Sequence, residues 1–325
     1  LHTSQFGDFE IIHIALSPEC RGRTFPLSIT AERLVINQLL EDHLYALFLF
    51  SDAEEEHWHL VNVRHDKGTQ RRRVFRRIAV GPQERLRTAS ERVAMLDLAT
   101  LEEELFGIPP LAIQQRHDEA FDVEQVTDEF FRQYQRVFNA LQDDFFSQTE
   151  DHVWAHDFAL QLLNRVMFLY YVQRKGWLGA DTDFLCHFWR AYAKAARPAD
   201  TFVGEWLNVL FFEAFNNQFD AECPDRQHFP VEILDALTMA PFLNGGLFRR
   251  NDLDQAHSPL ITDTRFEEIF DFLEGYNFTI SEDTPLDQEV AVDPEMIGKV
   301  YESLVNVSEE ADERGSDDVC PECPL

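Results

Sequence analysis

Residues 158–177, Phe-Ala-Leu-Gln-Leu-Leu-Asn-Arg-Val-Met-Phe-Leu-Tyr-Tyr-Val-Gln-Arg-Lys-Gly-Trp, restrict the fold more than any other stretch of the chain. Phe158, Leu162, Val166 and Leu169 recur at helical spacing, with Leu163, Met167 and Tyr170 on the same side. Gln161, Asn164 and Arg165 mark a wetter side, which Phe168 and Val172 close one turn later. A helix apolar on nearly every side must be surrounded by other elements. Arg174 and Lys175 suit the negative end of its dipole, and Gly176 can take the left-handed conformation that ends it. The stretch therefore predicts the central helix of an all-helical domain, its aromatic and Met stripe serving as core.

The sequence on either side has different periods. Phe9–Leu16 reads as a strand apolar on both faces, and so central to its sheet. Thr30 caps an expected helix over 31–41, burying Leu34, Ile36, Leu39 and Leu40. Strands are expected at 44–50, 58–63 and 74–80, the last ended by Gly81-Pro82, and a helix at 88–98. These elements form an expected small α/β domain over 1–108, with Gly107-Ile-Pro-Pro110 as the break and 109–121 as linker. From Asp122 everything reads as helical: Asp122 with Gln125 as a capping box, helices over 183–196 and 201–215, mostly loop from 216 to 262, and a helix opened by Thr264 with Glu267. A last helix starts at Asp293-Pro294, and 311–325 is a tail after a helical domain over 122–310. The fold class is α+β.

Charge narrows the function classes. The chain of 325 residues carries 59 acidic against 28 basic side chains, a net −31, and only four of the basic residues are lysines. Such a surface stays soluble in salt and repels nucleic acid unless its charges are unevenly placed. They are. Arg64, Lys67, Arg71, Arg72, Arg73, Arg76, Arg77, Arg85 and Arg87 face only Asp66 and Glu84 between 64 and 87, a balance of +7, whereas the remaining residues carry −38. A concentrated basic strip is an electrostatic footprint for phosphate, and arginine adds bidentate geometry. The competing reading is internal, with Arg76 and Arg77 paired to acids of the neighbouring domain.

Other chemistry is poorly represented. No lysine stands two residues after an Asp or Glu, as the common metal-dependent nuclease design needs, because His65, Gln173, Tyr192 and Ile297 occupy those positions. Glu54-Glu-Glu56-His57 with His59 could bind a hard ion but reads as an acidic turn. Cys320-Pro-Glu-Cys323 supplies two zinc ligands where four are needed, and Cys20, Cys186 and Cys223 are scattered as in a reducing compartment. Neither a Gly-rich cofactor turn after a strand nor an Asn/Asp-Pro-Pro-aromatic loop for methyl transfer is present, and Gly245-Gly246 reads as a turn. No stretch of about 18 uncharged apolar residues and no apolar leader is seen, so a soluble, cytoplasmic protein without membrane contact is expected.

Leu162–Leu178, Phe242-Leu-Asn-Gly-Gly-Leu-Phe248, Tyr276–Pro285 and Val292–Leu304 occur in that order, behind the Trp58–Arg87 block. Together they resemble the region ahead of the catalytic domain in large single-chain adenine-specific DNA methyltransferases of the Eco57I type, type IIG-like proteins of restriction-modification and phage-defence systems. The likeness extends over most of residues 30–314. It implies a duplex-DNA partner, a carboxyl-terminal methyltransferase domain or subunit, and S-adenosylmethionine bound there, with no cofactor in this chain. In that family the last helix runs into Phe-Tyr-Thr-Pro; Ser316–Leu325 departs from this, so no catalytic residue carries over, and a fragment, truncated product or natural amino-terminal subunit is expected. The expected role is a non-catalytic DNA-binding scaffold. The alternatives are a diverged magnesium-dependent nuclease domain and a protein-interaction scaffold without DNA contact.

Overall fold

The computed structural model describes residues 2–3, 7–16, 27–65, 73–82, 84, 86–101, 107–195, 197–243, 245–278, 287–289 and 291–292. A two-stranded ladder of β1 (His2–Thr3) and β2 (Gly7–Asp8) precedes a five-stranded mixed sheet. That sheet is ordered β3 (Glu10–Ala15), β4 (Ala46–Ser51), β5 (Trp58–His65), β6 (Arg73–Val80) and β7 (Asp287–Glu289). β3 and β4 are parallel, joined by helix α1 (Ile29–Leu39); β4, β5 and β6 form an antiparallel meander, and β7 returns parallel to β6. The α+β class expected from the sequence is the class observed.

β3 is an edge strand and not a central one. α1 covers one face of the sheet, where Ile36 and Leu40 meet Phe48, Phe50, Val61, Val63 and Phe75 with Ile12 and Ile14 beside them. The other side of β3 is open, and Ile11 is 59% exposed. The cap of α1 is Ser28, which accepts from the Ala31 amide, and this phase turns Leu34 outward while sealing Glu32.

Residues 109–121, expected as linker, contain helix α3 (Pro110–Ala120), with Pro110 in the first turn where no amide is missed. It follows α2 (Leu86–Ala94), and its Ile113, Gln114, His117 and Ala120 face inward. α4 (Val123–Thr149) and α5 (His152–Arg174) then form an antiparallel hairpin through left-handed Glu150 and the capping Asp151. α5 is the central helix the sequence predicted: Leu162, Leu163, Val166, Met167, Leu169 and Tyr170 are all buried. Gly176 ends it at φ +69°, with Trp177 N–H reaching the Val172 carbonyl and Gly176 N–H the Gln173 carbonyl, the paired bonds of a Schellman stop. Arg165, read as solvated, is 3% exposed.

α6 (Phe184–Lys194) starts where Gln173 accepts the Leu185 amide. The 201–215 helix is broken into a π-helical turn (Phe202–Leu207), α7 (Asn208–Phe212) and a 3-10 turn (Ala214–Asn216). The 216–262 region, expected as loop, holds α8 (Val231–Thr238) and α9 (Asp252–Ala256). α10 (Asp263–Leu273) is capped by Thr262, one turn fraction ahead of the expected Thr264. The last helix expected from Asp293 lies outside the described residues.

One apolar core runs from Phe9, Leu47, Leu60 and Ile78 of the sheet through α3, α4, α5, α6 and α10. Sheet and helical body are further joined by Thr88 donating to the Gly275 carbonyl at 3.2 Å and by the Arg174–Glu84 ion pair.

Candidate nucleic-acid interface

Of the basic strip, Arg64, Arg73, Arg76 and Arg77 fall on β5 and β6. The register sets Arg64 opposite Val74 and His65 opposite Arg73 at one end of the ladder. Arg64 is half-buried there. Arg73 donates from Nη1 to Asn37 Oδ1 of α1 at 2.9 Å, which fixes its stem beside the helix. Arg87, at the start of α2, is exposed and reaches Glu91 at 3.1 Å; an exposed pair of this kind contributes at most about 1 kcal/mol and opens readily. Lys67, Arg71, Arg72 and Arg85 lie outside the described residues.

Arg76 and Arg77 do not belong with these. Strand alternation turns them to opposite faces of the sheet, and both faces are covered. Arg76 is 6% exposed and pairs with Asp122 at 3.4 Å. Arg77 is 9% exposed, stands 3.7 Å from Glu32 and donates to the Leu27 carbonyl at 3.4 Å. A buried guanidinium needs such partners, because its desolvation is not otherwise offset. The internal reading holds for this pair of arginines; of the other described members of the strip, Arg64 and Arg73 are half-buried at one end of the β5–β6 ladder and Arg87 is exposed beyond its other end.

Of the groups that hold the hairpin in place, Glu32, Asn62, Gln114 and Asp118 were not singled out from the sequence. Below α1, Glu32 bonds His59 Nδ1 as well as facing Arg77, so a carboxylate, an imidazole and a guanidinium share one dry site. On the opposite face Gln114 Nε2 reaches Asn62 Oδ1 at 2.9 Å and Asp118 Oδ1 at 3.0 Å, and Asn62 Nδ2 donates to Asp118 at 2.8 Å. A one-residue slip of β5 would orphan every member of both clusters, so they specify register as well as stability. The available signal was an Asn in the middle of an apolar strand and a Glu one turn before Ile36. Close by, His117 packs edge-on to Phe9 at 4.7 Å, and burial pushes its imidazole down to about 4.

The other sequence candidates disperse. Glu54, Glu55 and Glu56 are exposed on their turn, while His57 Nδ1 is 2.7 Å from Asp52 Oδ2 and His59 turns in to Glu32. Among the described residues no three His, Cys, Asp or Glu side chains converge on a metal-sized point. β4 runs directly into the Asp52–His57 turn, which has no glycine. Cys320 and Cys323 lie outside the described residues. No described helix is long and apolar enough to cross a membrane.

Compared with known proteins, the chain is 31% identical over 159 residues to a protein of Methanocaldococcus jannaschii named "Putative type II restriction enzyme and methyltransferase". The match spans 49% of this chain and 13% of that relative. No family model and no solved structure matches. The likeness ties about half of the chain to a restriction-modification protein.

Proposed function

We propose that this chain is the DNA-gripping, non-catalytic amino-terminal part of an Eco57I-like, type IIG adenine-specific methyltransferase, acting in the cytoplasm in restriction-modification or phage defence. It holds duplex DNA through Arg64, Lys67, Arg71, Arg72, Arg73, Arg85 and Arg87. Methyl transfer, with S-adenosylmethionine as donor, belongs to a carboxyl-terminal domain or subunit. The observation that carries the reading is the charge distribution: +7 across 64–87, two of it from the internally paired Arg76 and Arg77, on a chain that is −38 elsewhere. A field of that shape steers a polyanion to the strip and repels it elsewhere. The restriction-modification relative points the same way.

If about five of the strip's cations touch phosphates, log affinity for duplex falls against log salt with a slope near −4.5. Charge reversal of Arg71, Arg72 and Arg73 to glutamate should shallow that slope by about 2.7. Equal affinity and slope in the variant would remove the strip from the mechanism. The relative's name joins restriction to methyltransferase, which favours a nuclease as the second reading. Incubation with plasmid and Mg²⁺ or Mn²⁺ separates the two, since a binder leaves the plasmid intact. The scaffold reading predicts no salt-sensitive shift of any duplex.

A further inference from the structure

α6 and α8 face each other across a groove of about 520 Å³. Leu178, Phe184, Ala191, Ile233 and Ala236 supply its apolar floor. Gly179 lines it too; a Cβ there would stand 3.1 Å from Ala236 Cβ, so the glycine lets α8 come this near. The two walls carry opposite charge. Arg190 and Lys194, one turn apart on α6, are exposed on one side, and Glu232 of α8 is exposed on the other. His187, on the α6 side, is already held by Asp181 at 2.6 Å.

The outward side of α8 is a ridge. Val231 and Met239 are 67% and 62% exposed, and Asp235 stands exposed midway between them. Residues at i, i+4 and i+8 form one row along a helix, so the ridge is apolar, acidic, then apolar. Met239, the C-cap, keeps right-handed helical backbone and continues the row. At the helical rise the ridge is about 12 Å long, and the Phe184–Lys194 row of the groove about 15 Å. Large apolar side chains left this open gain about 25 cal/mol per Å² when covered.

An apolar ridge with a central carboxylate fits an apolar groove with a basic wall, and in this chain both border α8. We infer that this face is the contact of a two-fold homodimer, the α8 ridge of each copy seated in the α6–α8 groove of the other. Asp235 of one copy meets Arg190 and Lys194 of the other, while Val231 and Met239 reach the apolar floor. A two-fold axis makes each of these contacts twice. Charge selects the occupant. A polyanion laid on the α6 cations would have to sit against Glu232 and Asp235, whereas a second copy brings one acidic and one basic wall to match. The face is separate from the basic strip, and the inference stands whichever way duplex binding falls.

The test is sedimentation velocity of the full chain across a concentration series. It is run at about 0.15 M salt, where exposed charges more than about 8 Å apart are largely screened and contact pairs much less so. The parent should pass from monomer to dimer as concentration rises. Arg190→Glu/Lys194→Glu and Glu232→Lys/Asp235→Lys should each move that transition at least about tenfold higher, because like charges then face each other. An equimolar mixture of the two variants should pair with each other, since each supplies the charge the other lacks. Restored pairing also shows that both variants are folded. If either reversal loses the parent's circular dichroism, Met239→Lys decides, and it should weaken the dimer by a similar factor. A parent that stays monomeric throughout, a dimer indifferent to both reversals or to Met239→Lys, or two folded variants whose mixture stays monomeric overturns the inference.

Discussion

Replacing Asp254 by asparagine should destabilise the protein by about 4 kcal/mol, because it strands a buried cation. Arg165 and Asp254 are 3% and 5% exposed at their side chains. The guanidinium donates to Asp254 Oδ1 at 2.6 Å, Asp254 Oδ2 at 2.8 Å, the Leu247 carbonyl at 2.6 Å and the Arg249 carbonyl at 3.3 Å. Asparagine keeps the volume but turns one acceptor oxygen into an amide donor aimed at that guanidinium. It also weakens the α9 capping box, in which Asp254 Oδ2 accepts the Asn251 amide at 3.0 Å. Losing one partner of a buried pair costs about 3–5 kcal/mol. With an unfolding entropy near 2.1 cal/mol/K per residue over 325 residues, about 4 kcal/mol lowers Tm by roughly 6 °C. Removing both charges in Arg165→Met/Asp254→Leu should recover most of that loss, since an apolar pair carries no desolvation penalty. Thermal melts and urea titrations of the two singles and the double close the cycle. A cost below about 1 kcal/mol for the asparagine, or a double variant worse than the sum of its singles, would refute the assignment.

Stability should also report His117. Burial lowers it to about 4, so the unfolded chain takes up the proton first, and stability held above pH ~6.5 falls as pH drops toward 4 by about 3 kcal/mol. His117→Leu should remove that share of the pH dependence, measured as the difference between the two urea midpoints across the range. Gly176→Ala should cost about 1–2 kcal/mol from its φ of +69°, because the added Cβ meets only Ala180 Cα at 3.6 Å and the penalty is conformational; Gly176→Asn should cost less in the same melts. Arg76→Gln and Arg77→Gln should each lower stability by about 2 kcal/mol while leaving the salt slope of duplex binding unchanged, and a shallower slope would return them to the interface.

The helical body was readable because its signal is redundant. In α5 the stripe through Phe158, Leu162, Val166 and Leu169 repeats over about three turns, and the ending at Arg174, Lys175 and Gly176 agrees with it in dipole and in φ. α3 gave no such signal, since half of its inward face is Gln114 and His117, which look solvated in a string of letters and are buried in fact. The same blindness affected the site. Arg76 and Arg77 read as one cationic block, but a strand sends neighbours to opposite faces, and what waits on those faces is set by residues far away, Asp122 and Glu32. Arg165 was misread for the same reason, its acceptor lying across 89 positions of chain. Local pattern therefore locates charge along a sequence but leaves open whether a distant carboxylate has already claimed it. In a chain with two acids for every base, most arginines meet one.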